Sequence, residues 1–265
     1  MTFYQESINS VLDRIMEKGF LHDHIIVVGD NSCGKSYMLR ELVEKLVANN
    51  SQVYFLDAVN RGFDIEYVLI NGEAPDFGID IVNTRIREDY FNKKDSFAYA
   101  AHDTERVERI YSTYEKNVQK NFRQLTGDGF EIIYDESPRK IRMKEEEGVL
   151  SSGYQALIRM LLEIEYFQRS CVKRRRKKDA WIIIDEIDEF LSPRNARKLL
   201  PFLIGKFPAM RFVVSTHSCD VVASMKEANI VVLREEQSEV LDAGDYMTLD
   251  EPFKEQDFSW AKKWL

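Results

Sequence analysis

His24-Ile25-Ile26-Val27-Val28-Gly29-Asp30-Asn31-Ser32-Cys33-Gly34-Lys35-Ser36 is the stretch whose reading decides the fold. His24 to Val28 is a short, largely apolar and β-branched run, the mark of a strand covered on both faces. Gly29 to Ser36 follows at once and matches G-x-x-x-x-G-K-[ST] in full. Tyr37 to Ala48 reads as a helix, Asn49-Asn50-Ser51 breaks it, and Val53 to Leu56 starts another strand. Strand, glycine loop, helix, strand is the opening of a parallel α/β domain. Upstream, Ile8, Val11, Leu12, Ile15 and Met16 form the apolar stripe of an amphipathic helix over Ser7 to Lys18, with Ser7 as its expected cap and Gly19 as its stop.

The buried-strand pattern resumes much later, at Trp181 to Ile184, Phe212 to Val214 and Ile230 to Leu233. Between the two parts the texture changes. Gly72, Pro75 and Gly78 punctuate the first section, and Asp103 to Leu125 reads as one long helix carrying Val107, Ile110, Tyr111, Tyr114, Val118 and Phe122. Phe130 to Tyr134 and Lys140 to Met143 read as a hairpin around Ser137-Pro138, and Gly153 to Arg169 as a second long amphipathic helix. The expected organisation is therefore a first lobe of the core over 1–60, a mostly helical insertion with a hairpin over 61–148, the rest of the core over 149–233, and an acidic tail over 234–265.

Four short motifs carry chemistry. In Gly29, Asp30, Asn31, Ser32, Cys33, Gly34, Lys35 and Ser36 the glycines let backbone N–H groups turn inward around phosphate oxygens, and the following helix adds its positive N-terminal dipole. Lys35 has the length to reach the terminal phosphates, and the Ser36 hydroxyl is placed to ligate Mg²⁺. Asp185 and Glu186 end a buried strand; the first carboxylate suits Mg²⁺ and the second a general base for an attacking water. Leu150-Ser151-Ser152-Gly153-Tyr154-Gln155 precedes a long helix, where hydroxyl, free N–H groups and dipole make an anion site; taken alone, it is an N-cap. Ser215-Thr216-His217-Ser218 follows a core strand; His217 is a candidate hydrogen-bond donor to a γ-phosphate, though taken alone it reads as a satisfied loop residue.

In that order along the chain, these motifs resemble the ATP-binding-cassette (ABC) ATPase superfamily. Within it they are similar to the non-transporter branch of RecF proteins, SMC heads and the ATPase domains of the overcoming-lysogenization-defect family. The run from Ile184 to Pro193, with Phe207-Pro208 and Ser215 to Ser218 after it, carries the second likeness. The resemblance implies an α/β fold, a P-loop NTPase core with a parallel-rich sheet and an inserted helical subdomain. It implies an Mg²⁺-dependent ATPase that forms a head-to-tail homodimer, with ATP held between the Gly29–Ser36 loop of one subunit and Ser151 and Gly153 of the other. Glu186 is then the catalytic base and His217 the γ-phosphate switch. Two positions depart from the family pattern: Tyr154 stands where Gln or Glu is usual, and Ser192 where Asp or His is common. Asn60 and Asn83 are candidates for the glutamine-loop position, and neither is assigned.

The likeness also implies a setting in DNA maintenance or a prokaryotic anti-phage defence complex with a separate effector protein. A nucleic-acid sensor with negligible turnover and a transporter nucleotide-binding subunit are the rival readings. No coiled coil separates the motifs and no nuclease-like acid cluster follows residue 233.

Composition bounds these readings. At 265 residues, 44% hydrophobic and 31% charged, the chain can bury a core without disulfide or metal staples. No apolar run approaches the roughly 18 residues of a membrane span, and no basic segment followed by an apolar one opens the chain, so a cytoplasmic protein is expected. Cys33, Cys171 and Cys219 form no metal-binding or disulfide pattern. The net charge of −8 is segregated: residues 234–257 hold nine acids and two bases, which leaves the other residues near neutral. Lys173, Arg174, Arg175, Arg176, Lys177 and Lys178 form an uninterrupted basic run that can meet nucleic-acid phosphates or remain a solvated loop. Phe258, Trp260, Trp264 and Leu265 give the acidic tail an apolar end that either packs back on its own domain or docks a partner.

Overall fold

The computed structural model describes residues 3–72, 80–93, 106–134, 139–143, 146–173, 180–234 and 238–243. Most of the basic run (174–178), the hairpin turn at Ser137-Pro138, the start of the 103–125 segment and the aromatic end of the tail lie outside these residues.

A six-stranded sheet in the order β2-β6-β7-β1-β8-β9 forms the centre. Its strands are β1 (Ile25–Gly29), β2 (Gln52–Leu56), β6 (Ala180–Ile184), β7 (Met210–Ser215), β8 (Asn229–Leu233) and β9 (Ser238–Asp242). The first five run parallel, and β9 is antiparallel at the edge. The apolar runs read as strands are buried along their whole length in β1, β6 and β8, as a sheet covered on both faces requires. The stretch expected as an acidic tail thus contributes a strand: Ser238 to Asp242 pair with Leu233 to Asn229.

Helix α1 (Phe3–Met16) packs on α2 (Lys35–Ala48) and on β9 through its buried Ile8, Val11, Leu12 and Ile15. Its ends differ from the sequence expectation. Ser7 lies inside the helix and its Oγ accepts from the Ser238 N–H at 2.8 Å, so it anchors the edge strand. At the other end Lys18 takes the left-handed conformation (φ 57°), and the Gly19 N–H reaches back to the Arg14 carbonyl at 2.9 Å. That is a Schellman closure with a lysine in the position glycine usually holds.

The segment between β2 and β6 that the sequence suggests as an insertion contains α3 (Asp80–Arg85), α4 (Tyr111–Thr126) and a three-stranded antiparallel sheet of β3 (Phe130–Ile133), β4 (Lys140–Met143) and β5 (Glu146–Gly148). The long helix expected from 103 starts its α-helical part at Tyr111, because Val107–Ile110 winds as a 3-10 turn. Tyr114, Val118, Phe122 and Leu125 then form its buried stripe. The chain returns to the core through α5 (Ser152–Lys173), α6 (Pro193–Lys206) and α7 (Cys219–Ala223). Ser192 caps α6, accepting from Asn195 N–H at 3.4 Å, with Pro193 in the first turn.

Insertion and core are joined by a buried ionic cluster. Glu163 of α5, fully buried, faces Arg85 of α3 at 2.7 Å and Arg159 at 2.9 Å, and accepts the Tyr54 hydroxyl of β2 at 2.6 Å. Arg85 is also completely buried. Replacing one member of such a cluster leaves charges that water cannot reach. Glu163→Gln is expected to lower stability by about 3–5 kcal/mol, read as a fall in the urea midpoint with little change in slope.

Candidate functional site

β7 lies between β1 and β6, so the segments that leave the ends of these three parallel strands meet at one edge of the sheet. They are the Gly29–Ser36 loop, Asp185-Glu186 and Ser215-Thr216-His217. In the loop, Gly29 is imposed by packing: a Cβ there would sit 2.5 Å from Cys33 Sγ and 2.6 Å from the Leu233 carbonyl. Gly34, in the left-handed conformation at φ 87°, precedes α2. The Lys35 side chain turns back over the loop and donates to the carbonyls of Gly29 (3.0 Å) and Asp30 (2.9 Å). Asp30, Asn31 and Ser32 are exposed, and Ser36 is half-buried in the first turn of α2. Cys33 is buried, and burial pushes its thiol up, which makes it a packing residue rather than a reactive thiolate.

Asp185 is fully buried and held on every side. Its N–H donates to the Leu56 carbonyl (2.9 Å), Oδ1 accepts from Ser215 Oγ (2.6 Å), and Asn92 Nδ2 lies 3.5 Å from Oδ2. The Asp185 carbonyl accepts from Arg61 at 2.7 Å. Glu186 follows with φ 49° and donates its N–H to the same Ser215 Oγ at 2.7 Å. Its carboxylate lies 3.8 Å from His217 Nε2. The Thr216 hydroxyl donates to Asp188, tying the segment before His217 to the one after Glu186.

The electrostatics follow from this crowding. Burial, then the carboxylates of Asp185 and Glu189, push the Glu186 carboxyl above its ordinary value. Burial, then the Lys35 cation, hold the His217 imidazole below its own. The Lys35 ammonium is lowered by burial and favoured by Glu186, Asp185 and Asp30 among its neighbours. Lys35 therefore shares one field with both carboxylates and the histidine. The donor set fits the groups that the sequence suggests. Ser36 and Asp185 offer hard oxygens of the kind Mg²⁺ takes alongside phosphate, and a glycine loop with an inward lysine suits phosphate.

Ser151 and Gly153 stand at the start of α5 and outside this cluster of contacts. Ser151 caps the helix, with the Tyr154 N–H 3.3 Å from its Oγ, and both Ser151 and Ser152 are exposed. Gly153 abuts the Phe190 turn: a Cβ would lie 2.6 Å from the Phe190 carbonyl. Tyr154 points into the insertion, donating to Asp128 and meeting the Phe122 ring edge-on at 5.0 Å. Asn60 folds onto Asp57, with Nδ2 at 2.6 Å from Oδ2. Asn83 lies in α3. Sequence reading missed Asn92 and Arg61, which touch Asp185; both sit in irregular chain, where no motif marks them.

No protein-family model and no curated protein matches the sequence. Solved structures do. An SMC head domain from Thermotoga maritima is 18% identical, with 83% of this chain and 90% of that one covered and a TM-score of 0.42. CbiO1 from Clostridium perfringens, part of the ABC transporter complex cbiONQ, is 14% identical, covering 88% and 83% with a TM-score of 0.43. The ATP-binding cassette MJ0796, in a dimeric post-hydrolysis state bound to ADP and Pi, is 11% identical, covering 83% and 85% with a TM-score of 0.41. These are likenesses of outline; the α/β core rests on the strand order and site geometry above.

The raised Glu186 pKa has a consequence for stability. The folded state binds that proton more tightly than the unfolded chain, so stability is lost as pH rises from the ordinary value of 4.5 through the folded value. Glu186→Gln carries no such titration. Its stability relative to the wild type is expected to increase as pH rises through this window and then level off, as measured by denaturation at a series of pH values. A difference independent of pH would sink the assignment.

Proposed function

We propose that the chain is an Mg²⁺-dependent ATPase that uses nucleotide-driven homodimerisation as a switch. The observation that carries the reading is the meeting of Lys35, Asp185, Glu186 and His217 at the end of three adjacent parallel strands, in one electrostatic field. Gly29 to Ser36 binds the phosphates of ATP, with backbone N–H groups and the start of α2 as the anion site. Ser36 and Asp185 hold Mg²⁺, which when bound neutralises phosphate charge. Glu186, its affinity for a proton raised by its surroundings, takes the proton of the attacking water. His217, kept neutral near pH 7, donates one hydrogen bond from its ring N–H to an oxygen of the terminal phosphate.

The second half of the site comes from another copy of the chain. Ser151 and Ser152 face solvent beside Val149, which is 92% exposed, and Phe190, which is 53% exposed. Apolar side chains this open, around a helix start with free N–H groups, suit a face that closes over nucleotide. The proposed output is made by a separate effector, in DNA maintenance or anti-phage defence, with the basic run at 173–178 as a contact for nucleic acid.

Lys35→Ala is expected to weaken ATP binding by about 10- to 100-fold, the worth of a lost charge-assisted contact, read by fluorescent-nucleotide titration; unchanged affinity would refute the site. Glu186→Gln is expected to reduce turnover by roughly 10²- to 10⁴-fold while accumulating an ATP-bound dimer in size-exclusion chromatography with light scattering. A protein that stays monomeric at every ATP concentration counts against the switch.

A further inference from the structure

The peptide unit between Asp185 and Glu186 is gripped at both ends by side chains from other segments. Its carbonyl accepts from Arg61 at 2.7 Å, and its N–H donates to Ser215 Oγ at 2.7 Å. The orientation of this peptide decides where Glu186 points. Glu186 sits at φ 49°, a conformation few non-glycine residues adopt and one that persists where the surroundings over-determine it. The two grips supply that determination, one from the segment after β2 and one from the end of β7.

Arg61 is 2% exposed, and its Nε has no hydrogen-bond partner among the described residues. A strand-end carbonyl needs one neutral donor; a buried guanidinium with an unmatched N–H is a costly way to supply it if stability were the whole purpose. Arg61 faces Asp57 and, on α5, Glu163 and Arg159. Arg159 also donates to the Gly62 carbonyl at 3.2 Å, next to Arg61 in the chain. The clamp is therefore continuous with the helix that begins at Ser152.

We infer that Arg61 is a positioning residue: it clamps the Asp185–Glu186 peptide, holds the Glu186 carboxylate toward Lys35 and His217, and ties that aim to the placement of α5. The inference rests on the proposed role of Glu186 as proton acceptor. It goes beyond that role by naming the residue that makes the acceptor's backbone geometry possible.

The test compares full-length wild type, Arg61→Met and Arg61→Lys in steady-state ATPase assays, with ATP affinity and dimer formation measured alongside, at temperatures well below each protein's Tm. Arg61→Met is expected to lower kcat by about 10-fold or more, with KM for ATP within about threefold and the ATP-dependent dimer retained. Arg61→Lys, which keeps the cation and one donor, should fall between the two. A residue with a merely structural role would lower Tm and leave the kcat of the folded fraction unchanged, and that result overturns the inference while leaving the ATPase reading intact. A proportional rise in KM, or loss of the dimer, overturns it too, because a misdirected proton acceptor does not weaken binding. Should Arg61→Met fail to fold, Arg61→Lys decides: a kcat at least about threefold lower at unchanged KM supports the clamp, and a wild-type kcat removes it. A wild type without turnover overturns the inference together with the reading beneath it.

Discussion

One buried hydroxyl holds the centre of the structure together. Ser215 Oγ donates to the Asp185 carboxylate and accepts the Glu186 N–H, at 2.6 and 2.7 Å. It can do both because β7 lies between β1 and β6, so the residue ending β7 sits level with the residue following β6. The Thr216 N–H continues the seam, donating to the Val27 carbonyl of β1 at 3.1 Å, and Ile187 N–H returns to the Ser215 carbonyl at 3.0 Å. Three strand ends are thus stitched into one surface before any side chain of the proposed chemistry is placed. The sheet order is the precondition for the site.

The surface is built against local preference. Asp185 is an acid without solvent exposure, Lys35 is 6% exposed, and Glu186 and Phe190 both adopt positive φ. Each is a cost in isolation, of order 1–3 kcal/mol for a strained backbone and more for an unpaired buried charge. They concentrate at one sheet edge, and the opposing hydrogen bonds concentrate there as well. Other departures lie apart from this edge, in the buried Arg85–Glu163–Arg159 cluster and the left-handed Lys18, while the buried strands and the stripes of α1 and α4 follow ordinary rules.

This division explains what could be read from the residues alone. The buried strands were legible because a continuous β-branched run has few alternatives, and the glycine loop because two glycines, a lysine and a hydroxyl residue must stand at fixed spacing between a strand and a helix. The helix ends were less so. Ser7 has the chemistry of a cap, yet its hydroxyl serves the distant Ser238, a contact 231 positions away that no local pattern encodes. The left-handed turn of the expected stop at Gly19 falls one residue earlier, on Lys18. Val107 to Ile110 carry the apolar spacing of a helix and wind as a 3-10 turn, since i, i+3 spacing serves both windings. Asn92 and Arg61 were invisible for a different reason: their roles depend on reaching Asp185 from segments 93 and 124 residues distant.

Ser192 and Tyr154, the two positions that depart from the pattern the sequence resembles, have local tasks in the fold. Ser192 caps α6, a task that aspartate also performs, so the substitution preserves the helix start whatever it does across an interface. Tyr154 spends its hydroxyl on Asp128 and its ring on Phe122, both in the inserted segment. A glutamine there could not fill that aromatic contact. The position thus trades a polar side chain at the start of α5 for a connection from the insertion to the helix. Gly153 beside it is closed on its other side by the Phe190 carbonyl. The start of α5 is consequently wedged between Phe122 and Asp128 on one side and the Phe190 turn on the other. Further along the same helix Arg159 and Glu163 lie in the field of Arg61, so α5 meets the 111–134 segment at its start and the surroundings of the Asp185–Glu186 edge along its length.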